Sequence, residues 1–468
     1  MVDVKQLYTN CLSEAAYFIA SNGEAAVIDP LRDVDVYLQM AAEKGVKIKY
    51  IFETHFHADF VSGHIELSQR TGAPILYGPD TNASFPIHMA KDGEEFKIGK
   101  LTIKAIHTPG HTLESTCYLL HEEGGKPYCI FTGDTLFVGD VGRPDLFSGN
   151  LSKEELAGMM YDTLQNKIKT LNDNIIVYPA HGPGSSCGKS LGPETHSTIG
   201  AQKATNYALQ EMTKDEFVKT VTTGLSKPPV YFPINARINK EGYDSMTDVI
   251  GTGMQALSIA AFKERTKEGV WILDTRPATI FTLGFVPGSV SIGLDGRFAE
   301  WAGTMLPYDQ PLVLVTEEGK ERESIIRLAR VGIDNVQGYL EGGYEAWQAA
   351  GEPIDMIIDI EPDELAMDMP HDDLLEVIDV RKPGEFDAAH VKGATNIPLD
   401  TLADPLNIAV IDDTHNLYIH CAGGYRSVIA ASLLKKQGYH NLRNVLGGFG
   451  KIKSQKGIAI VHPDNVKA

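Results

Sequence analysis

The second half of the chain repeats itself, and this limits what it can fold into more than any other feature of the 468 residues. Asp274-Thr-Arg returns as Asp379-Val-Arg, Gly288 as Gly393, and Gly342-Gly343 as Gly447-Gly448, each 105 positions further on. Three landmarks sharing one offset without a gap describe one supersecondary unit used twice. Each copy reads strand, loop, strand, helix, strand; in the second copy the segments are LEVIDVR, NLYIHCA, SVIAASLLKKQG and LRNVLGG. That is the pattern of a small parallel α/β domain. Boundaries fall near 245–255 and 355–362, which gives domains over 1–245, 255–355 and 362–468. Three domains agree with a prior of roughly 150 residues per domain.

The first half alternates short apolar runs with turn signals: AAYFIA, AAVID, YIFET, APILYG, LTIKAI, YCIFTGD and IIVYPAH. Such runs, rich in Val, Ile, Tyr and Phe, read as buried strands. Only a few helical patterns stand between them, among them VDVYLQMAAEKG and KEELAGMMYDTLQNKI. Many strands with few helices predict two packed sheets with helices outside.

A hydrophobic content of 43% supplies several cores, and a net charge of −20 argues against a nucleic-acid binder or a protein held on an anionic membrane surface. No run of 18 apolar residues occurs, so no membrane span is expected. The first twenty residues hold one Lys and no apolar stretch flanked by basic residues, so no signal peptide is expected either. The five cysteines, Cys11, Cys117, Cys129, Cys187 and Cys421, are odd in number and scattered, which is not a disulfide framework. A cytoplasmic protein with reduced thiols is the expectation.

The densest chemical signal is Thr54-His55-Phe56-His57-Ala58-Asp59-Phe60, directly after the apolar KYIFE. His111 in HTPGH, Asp134 in FTGD and His181 in YPAH follow further on, each just after a predicted strand. Open α/β sheets present ligands at strand ends, and imidazole with carboxylate suits zinc or ferrous iron. One such histidine would read as a hydrogen-bonded loop residue; four His and two Asp in Gly- or Pro-bearing turns read as a metal centre.

The second signal is His420-Cys421-Ala422-Gly423-Gly424-Tyr425-Arg426-Ser427, which follows the strand NLYI and opens a helix. A Cys in a Gly-bearing loop at a helix start meets inward-facing amides and the positive end of the dipole, which favour thiolate and cradle an anion. Arg426 adds fixed charge. Such a thiol suits attack on sulfane sulfur. The first copy has Thr316 in place of Cys421 and Glu321 in place of Arg426, so it is expected to pack or position and not to react.

The His/Asp pattern resembles the metallo-β-lactamase superfamily, whose signature is HxHxDH followed by a distant His, Asp and His. The resemblance covers about residues 1–240 and implies an αββα sandwich with the metal between the sheets. The last signature residue is Phe60 instead of His, so one donor of the second metal of binuclear members is lost. Gly142-Arg143-Pro144-Asp145 and KPPVYFPINARIN (Lys227–Asn239) are similar to persulfide dioxygenases, which hold one Fe(II) with two His and one carboxylate. Carried over, the ligands are His55, His111 and Asp134, with His57, Asp59 and His181 orienting ligands or water. The same resemblance offers Arg143 as a fork for a thiol's carboxylate, against the plain reading of a structural salt bridge. Cys187, six residues after His181, is expected at the pocket mouth, as a buried thiol or as a substrate contact.

The Cys421 loop and DVRKPGEFDAAHVKGATNIPL resemble rhodaneses. Cysteine phosphatases place five residues between Cys and Arg; the four here make a smaller cradle that favours sulfur. Cys421 and Arg426 are then the catalytic pair, with Gly423 and Gly424 binding substrate.

The expected architecture is an αββα sandwich followed by two small parallel-sheet α/β domains, the first degenerate. What the resemblance implies is oxidation of a low-molecular-weight thiol persulfide, on glutathione, coenzyme A or a similar carrier, by O₂ to sulfite and thiol. Sulfane-sulfur transfer between persulfide and sulfite or thiosulfate through Cys421 accompanies it, in a sulfide-detoxification setting. One Fe(II) per chain and a homo-oligomer are implied as well. The alternatives are a zinc-dependent glyoxalase II-like thioester hydrolase with the rhodanese copies as accessories, and a sulfur carrier or scaffold without catalysis.

Overall fold

The strand Glu14–Ser21 shows why the first half reads as unbroken apolar runs. Ala15, Tyr17 and Ile19 point into one buried cluster, and Ala16, Phe18 and Ala20 into another on the opposite face. A strand covered on both faces needs no polar alternation. The computed structural model describes residues 2–146, 151–267 and 269–462. The chain divides into two units, 1–246 with Ala329–Gly332, and 247–328 with 333–468.

The first unit holds two six-stranded sheets. One runs in the order Asp3–Thr9, Glu14–Ser21, Glu24–Ile28, Lys47–Phe52, Ile75–Tyr77, His88–Met89. The other runs Ser197–Thr198, Ile176–Pro179, Pro127–Gly133, Thr116–His121, Leu101–His107, Glu95–Ile98. Tyr17, Ile28 and Phe52 of one sheet meet Ile103, Tyr118 and Phe131 of the other in a shared core. The outer face of the first sheet is closed by Tyr37 and Met40 of the helix Asp35–Lys44 and by Leu67 of the helix His64–Thr71. Ala157 and Met160 of the helix Lys153–Thr163 and Phe217 of the helix Lys214–Thr222 bury against the second sheet. Both of these helices start on capping boxes, Ser152 with Glu155 and Thr213 with Glu216, which satisfy their first free N–H groups. The layers are therefore α, β, β, α.

The second unit holds two five-stranded, all-parallel sheets with the same strand order. The first is Ala256–Leu257, Val336–Leu340, Leu312–Val315, Trp271–Asp274, Ser289–Ser291; the second is Ile358–Ile360, Leu442–Val445, Asn416–His420, Leu375–Asp379, Thr395–Asn396. The repeat extends to single atoms. Arg276 pairs with Asp274 at 2.6 Å, donates to the Gly284 carbonyl at 3.0 Å and lies 4.3 Å over the Tyr344 ring. Arg381 pairs with Asp379 at 2.6 Å, donates to the Ala389 carbonyl at 2.8 Å and lies 3.9 Å over the Phe449 ring. A buried, bidentate Arg–Asp pair made through Nε and Nη2 braces each copy. The paired glycines have a steric cause: a Cβ on Gly343 would lie 2.8 Å from the Thr316 carbonyl oxygen, and one on Gly448 2.3 Å from that of Cys421.

Among the described residues, no helix is long and apolar enough to cross a membrane.

Candidate functional site

The loops that leave the first unit's strands bring the dispersed His and Asp residues together. His55 follows the strand Lys47–Phe52, Asp134 follows Pro127–Gly133 and His181 follows Ile176–Pro179; His111 lies in the loop between Leu101–His107 and Thr116–His121. His55, His111 and Asp134 each offer one ligand atom, all within 4.8 Å of one another and all buried. Asp134 Oδ2 is 3.4 Å from His111 Nε2 and 3.9 Å from His55 Nε2. Each ring is aimed by its other nitrogen: His55 Nδ1 lies 3.0 Å from Thr54 Oγ1 and His111 Nδ1 2.8 Å from the Arg143 carbonyl. Fixing Nδ1 in this way leaves Nε2 for the centre.

Asp134 Oδ1 and Oδ2 are buried with no hydrogen-bond partner among the described residues. Unpaired buried carboxylate oxygens are costly, and a cation among them removes that cost, so this donor set fits a metal ion. Two imidazoles and one carboxylate are a donor set suited to ferrous iron or zinc. Burial, followed by His57, His111 and His181, holds His55 well below the usual imidazole range. A neutral ring is the form that binds metal.

His57, the second histidine of the His-x-His pair, groups with Asp59 and His181 on one side and with Asp29 and Glu53 on the other, each set within the same 4.8 Å reach, and its Nδ1 is buried with no hydrogen-bond partner among the described residues. Its Nε2 lies 3.1 Å from Asp29 Oδ1 and 3.7 Å from Glu53 Oε2. Burial opposes its charge, but Asp29, Glu53 and Asp59 together outweigh burial and push it up to about 10. Asp29 is in turn held by Thr54, whose N–H and Oγ1 donate to it at 2.7 and 2.9 Å. Phe60, fully buried, packs on the His57 ring with centroids 4.4 Å apart. Asp59 and His181 stand beside the centre: His181 Nε2 is 3.5 Å from Asp59 Oδ2 and 3.4 Å from Asp134 Oδ1, and its Nδ1 lies 3.1 Å from the Ser13 carbonyl.

Cys187 is 1% exposed and groups with Asp134 and His181 within the same 4.8 Å reach. Burial first, then Asp59 and Asp134, push its thiol well above the ordinary range. Arg143 is 2% exposed and grips Asp145 through Nε and Nη2 at 2.7 and 2.8 Å. The carboxylate filling its fork is thus the protein's own, and its link to the centre is the carbonyl that aims His111. The glycine before it is required by close approach, since a Cβ on Gly142 would fall 2.2 Å from the Asp134 carbonyl oxygen and 2.9 Å from His111 Nδ1.

Asp29, Glu53 and His64 escaped the sequence reading. Glu53 accepts from Ser62 Oγ at 2.6 Å and lies 3.6 Å from His64 Nδ1. Asp29 ends the strand-like VIDP and Glu53 immediately precedes Thr54, so strand-end position was the available signal. Asn239, within the segment Lys227–Asn239 noted above, braces the signature loop: its Nδ2 donates to the carbonyls of His57 and Phe60 at 2.7 Å each, and its Oδ1 accepts from Ser62 N–H at 2.8 Å.

In the second unit the strand Asn416–His420 delivers Cys421 to the start of the helix Tyr425–Lys436. Gly424 N–H donates to Cys421 Sγ at 3.0 Å, and Ser427 Oγ lies 3.6 Å from the same sulfur. Cys421 is 2% exposed, whereas Gly423 is exposed. Arg426 holds both oxygens of Glu385, at 2.7 and 2.9 Å, while the Gly424 N–H is the donor that meets the sulfur. A thiol cradled by a helix-start amide can carry sulfane sulfur. Thr316, the first-copy counterpart, is equally buried and followed by Glu317 and Glu318.

The family model of the metallo-β-lactamase superfamily matches residues 9–181, and that of the rhodanese-like domain matches 258–350 and 361–455. A solved metallo-β-lactamase from Staphylococcus aureus subsp. aureus COL is 32% identical, with a TM-score of 0.65 and coverage of 72% of this chain and 98% of that one. The chain belongs to the metallo-β-lactamase superfamily and carries two rhodanese-like domains after the sandwich. A probable hydroxyacylglutathione hydrolase of Schizosaccharomyces pombe is 32% identical over 159 residues, 33% of this chain and 58% of that protein. The hydroxyacylglutathione hydrolase of Salmonella typhi is 36% identical over 160 residues, 34% and 57%. The chain thus spans under three fifths of the length of these curated relatives.

Proposed function

We propose that the chain is a persulfide dioxygenase joined to a sulfurtransferase: a low-molecular-weight thiol persulfide, O₂ and water give sulfite and thiol in the first unit, and Cys421 transfers sulfane sulfur in the second. The observation that carries this reading is the grouping of His55, His111 and Asp134, two imidazoles and one carboxylate with ligand atoms within 4.8 Å of one another, together with Phe60 where a further histidine donor would stand. A ferrous ion held by His55, His111 and Asp134 would supply the redox chemistry that activates dioxygen toward a persulfide sulfur. The chain's own part is to aim His55 and His111 through Thr54 and the Arg143 carbonyl, and to keep the centre buried.

In the second unit the Cys421 thiolate attacks the outer sulfur of a persulfide. The old S–S bond breaks, the thiol leaves, and a Cys421 persulfide forms. The sulfur lone pair of sulfite then attacks the outer sulfur, giving thiosulfate and returning the thiolate. Placing both sites in one chain raises the effective concentration of sulfite at Cys421.

The second reading, a zinc thioester hydrolase, is favoured by the names of the curated relatives. Elemental analysis of anaerobically purified protein with O₂ uptake on glutathione persulfide separates the two. One iron per chain with persulfide-dependent uptake is expected; two zinc ions with thioester hydrolysis and no uptake would overturn the dioxygenase reading.

A further inference from the structure

The helix that carries the Cys421 loop is docked on the first rhodanese-like copy along its whole length. At its start, Tyr425 Oη donates to the Gly293 carbonyl at 2.7 Å. A Cβ on Gly296 would lie 2.4 Å from the Tyr425 ring, so the 293–296 loop is shaped to receive that ring. Midway, Ser432 Oγ accepts from Ser291 N–H at 3.0 Å, and near the end Lys435 Nζ reaches Asp355 at 2.8 Å.

A second line of contact reaches the sulfur itself. Ser427 Oγ, 3.6 Å from Cys421 Sγ, donates to Asn444 Oδ1 at 2.7 Å; Asn444 Nδ2 donates to Asp359 Oδ1 at 2.7 Å; and Thr282 Oγ1 of the first copy donates to Asp359 Oδ2 at 2.6 Å. The direction of this chain is fixed. Asp359 accepts only, so the Asn444 amide must turn its NH₂ toward it and its oxygen toward Ser427. The Ser427 hydroxyl donates to Asn444 Oδ1 at 2.7 Å, with the Gly424 carbonyl as a second acceptor at 3.0 Å, and in either case its oxygen is left to accept from the Cys421 thiol. A cavity of about 460 Å³ opens between the copies, with Gly423, Gly424 and Tyr425 on one wall and Thr279, Thr282 and Asp295 on the other.

We propose that the first copy, without a nucleophile of its own, is a positioning module for the second: Tyr425 on Gly293 and Thr282 through Asp359–Asn444–Ser427 hold the Cys421 loop in its reactive shape. Tyr425 and Thr282 are positioning residues. The proposal rests on Cys421 being the sulfur carrier and adds what holds it.

The test uses the full chain with its metal and compares Tyr425→Phe, Thr282→Val and Thr282→Ser. Two readouts are taken: amide hydrogen exchange of the peptide spanning 421–427, and kcat and KM for thiosulfate in sulfur transfer to cyanide. For Tyr425→Phe and Thr282→Val, exchange of that peptide is expected to quicken about threefold and kcat to fall about fivefold, the size set by one net hydrogen bond. KM should stay within about twofold, because neither side chain touches Cys421. Thr282→Ser, which keeps the hydroxyl, should behave as wild type. Unchanged exchange, or faster exchange with unchanged kcat, would overturn the proposal. Full sulfur transfer by Cys421→Ser would instead sink the assignment of Cys421, whereas the exchange readout reports on the loop either way.

Discussion

His57 Nε2 lies 3.1 Å from Asp29 Oδ1, so the second half of the His-x-His pair is tied to a buried carboxylate outside the His55–His111–Asp134 set. The two halves should fail differently. His111→Ala and Asp134→Ala are expected to lose nearly all bound metal with little change in folding, since each removes a donor of a three-residue set. His57→Asn leaves Asp29 and Glu53 facing each other without a cation in a buried site, at a cost of about 3 kcal/mol. It should retain most of the metal per folded chain. Elemental analysis paired with denaturant melts separates the outcomes; loss of metal from His57→Asn at unchanged stability would place His57 in the ligand set.

Gly142 presses against two of the three donors at once. Its missing Cβ would sit 2.2 Å from the Asp134 carbonyl oxygen and 2.9 Å from His111 Nδ1. Backbone cannot retreat cheaply in a packed sandwich, so Gly142→Ala is expected to tilt His111 and lower metal affinity at least about tenfold, the size seen when an orienting partner is lost. Competition with a graded chelator measures this. An unchanged affinity would mean that the loop yields without moving the ring.

The fold was legible because its signals are periodic or repeated. The 105-residue offset reaches the Arg276–Tyr344 and Arg381–Phe449 stacks, and runs such as EAAYFIAS are strands buried on both faces. The donor residues could be read because each follows a strand. Side-chain partners were not legible: HFHADF does not say that His57 Nε2 meets Asp29, some 28 residues earlier. The same holds for Arg143, whose Asp145 partner stands in the motif itself while its burial does not. Thr282, Asp359 and Asn444 form a chain only through tertiary contact, and nothing in their local sequence marks them.

Arg426 gives its fork to Glu385, and the hydrogen bond from Arg426 is the main cause of holding the Glu385 carboxyl below its usual value of 4.5, with burial opposing. A depressed folded value means that the pair's contribution is fully present above about pH 4.5 and fades as pH falls through the lower, folded value. With the Glu385 side chain 37% exposed, that contribution is about 0.5–1 kcal/mol. The melting transition of the second unit should therefore be lower for Glu385→Gln than for wild type at pH 7, and the two should converge as pH falls through the lowered, folded value. Convergence on the alkaline side instead would contradict the pairing.

The two proposed chemistries differ in what each consumes, so a single variant should uncouple them. Cys421→Ser cannot form a persulfide but leaves His55, His111 and Asp134 untouched. Oxygen uptake on glutathione persulfide should then proceed at the wild-type rate within about twofold. The product should change: with Cys421, sulfite formed in the first unit captures a second sulfane sulfur and leaves as thiosulfate; without it, sulfite accumulates, up to one per O₂ consumed. Quantifying sulfite and thiosulfate by thiol-reactive derivatisation and chromatography checks both. Thiosulfate formed by Cys421→Ser at the wild-type ratio would mean that sulfite meets persulfide free in solution, and the fusion would then need a different physical reason than effective concentration.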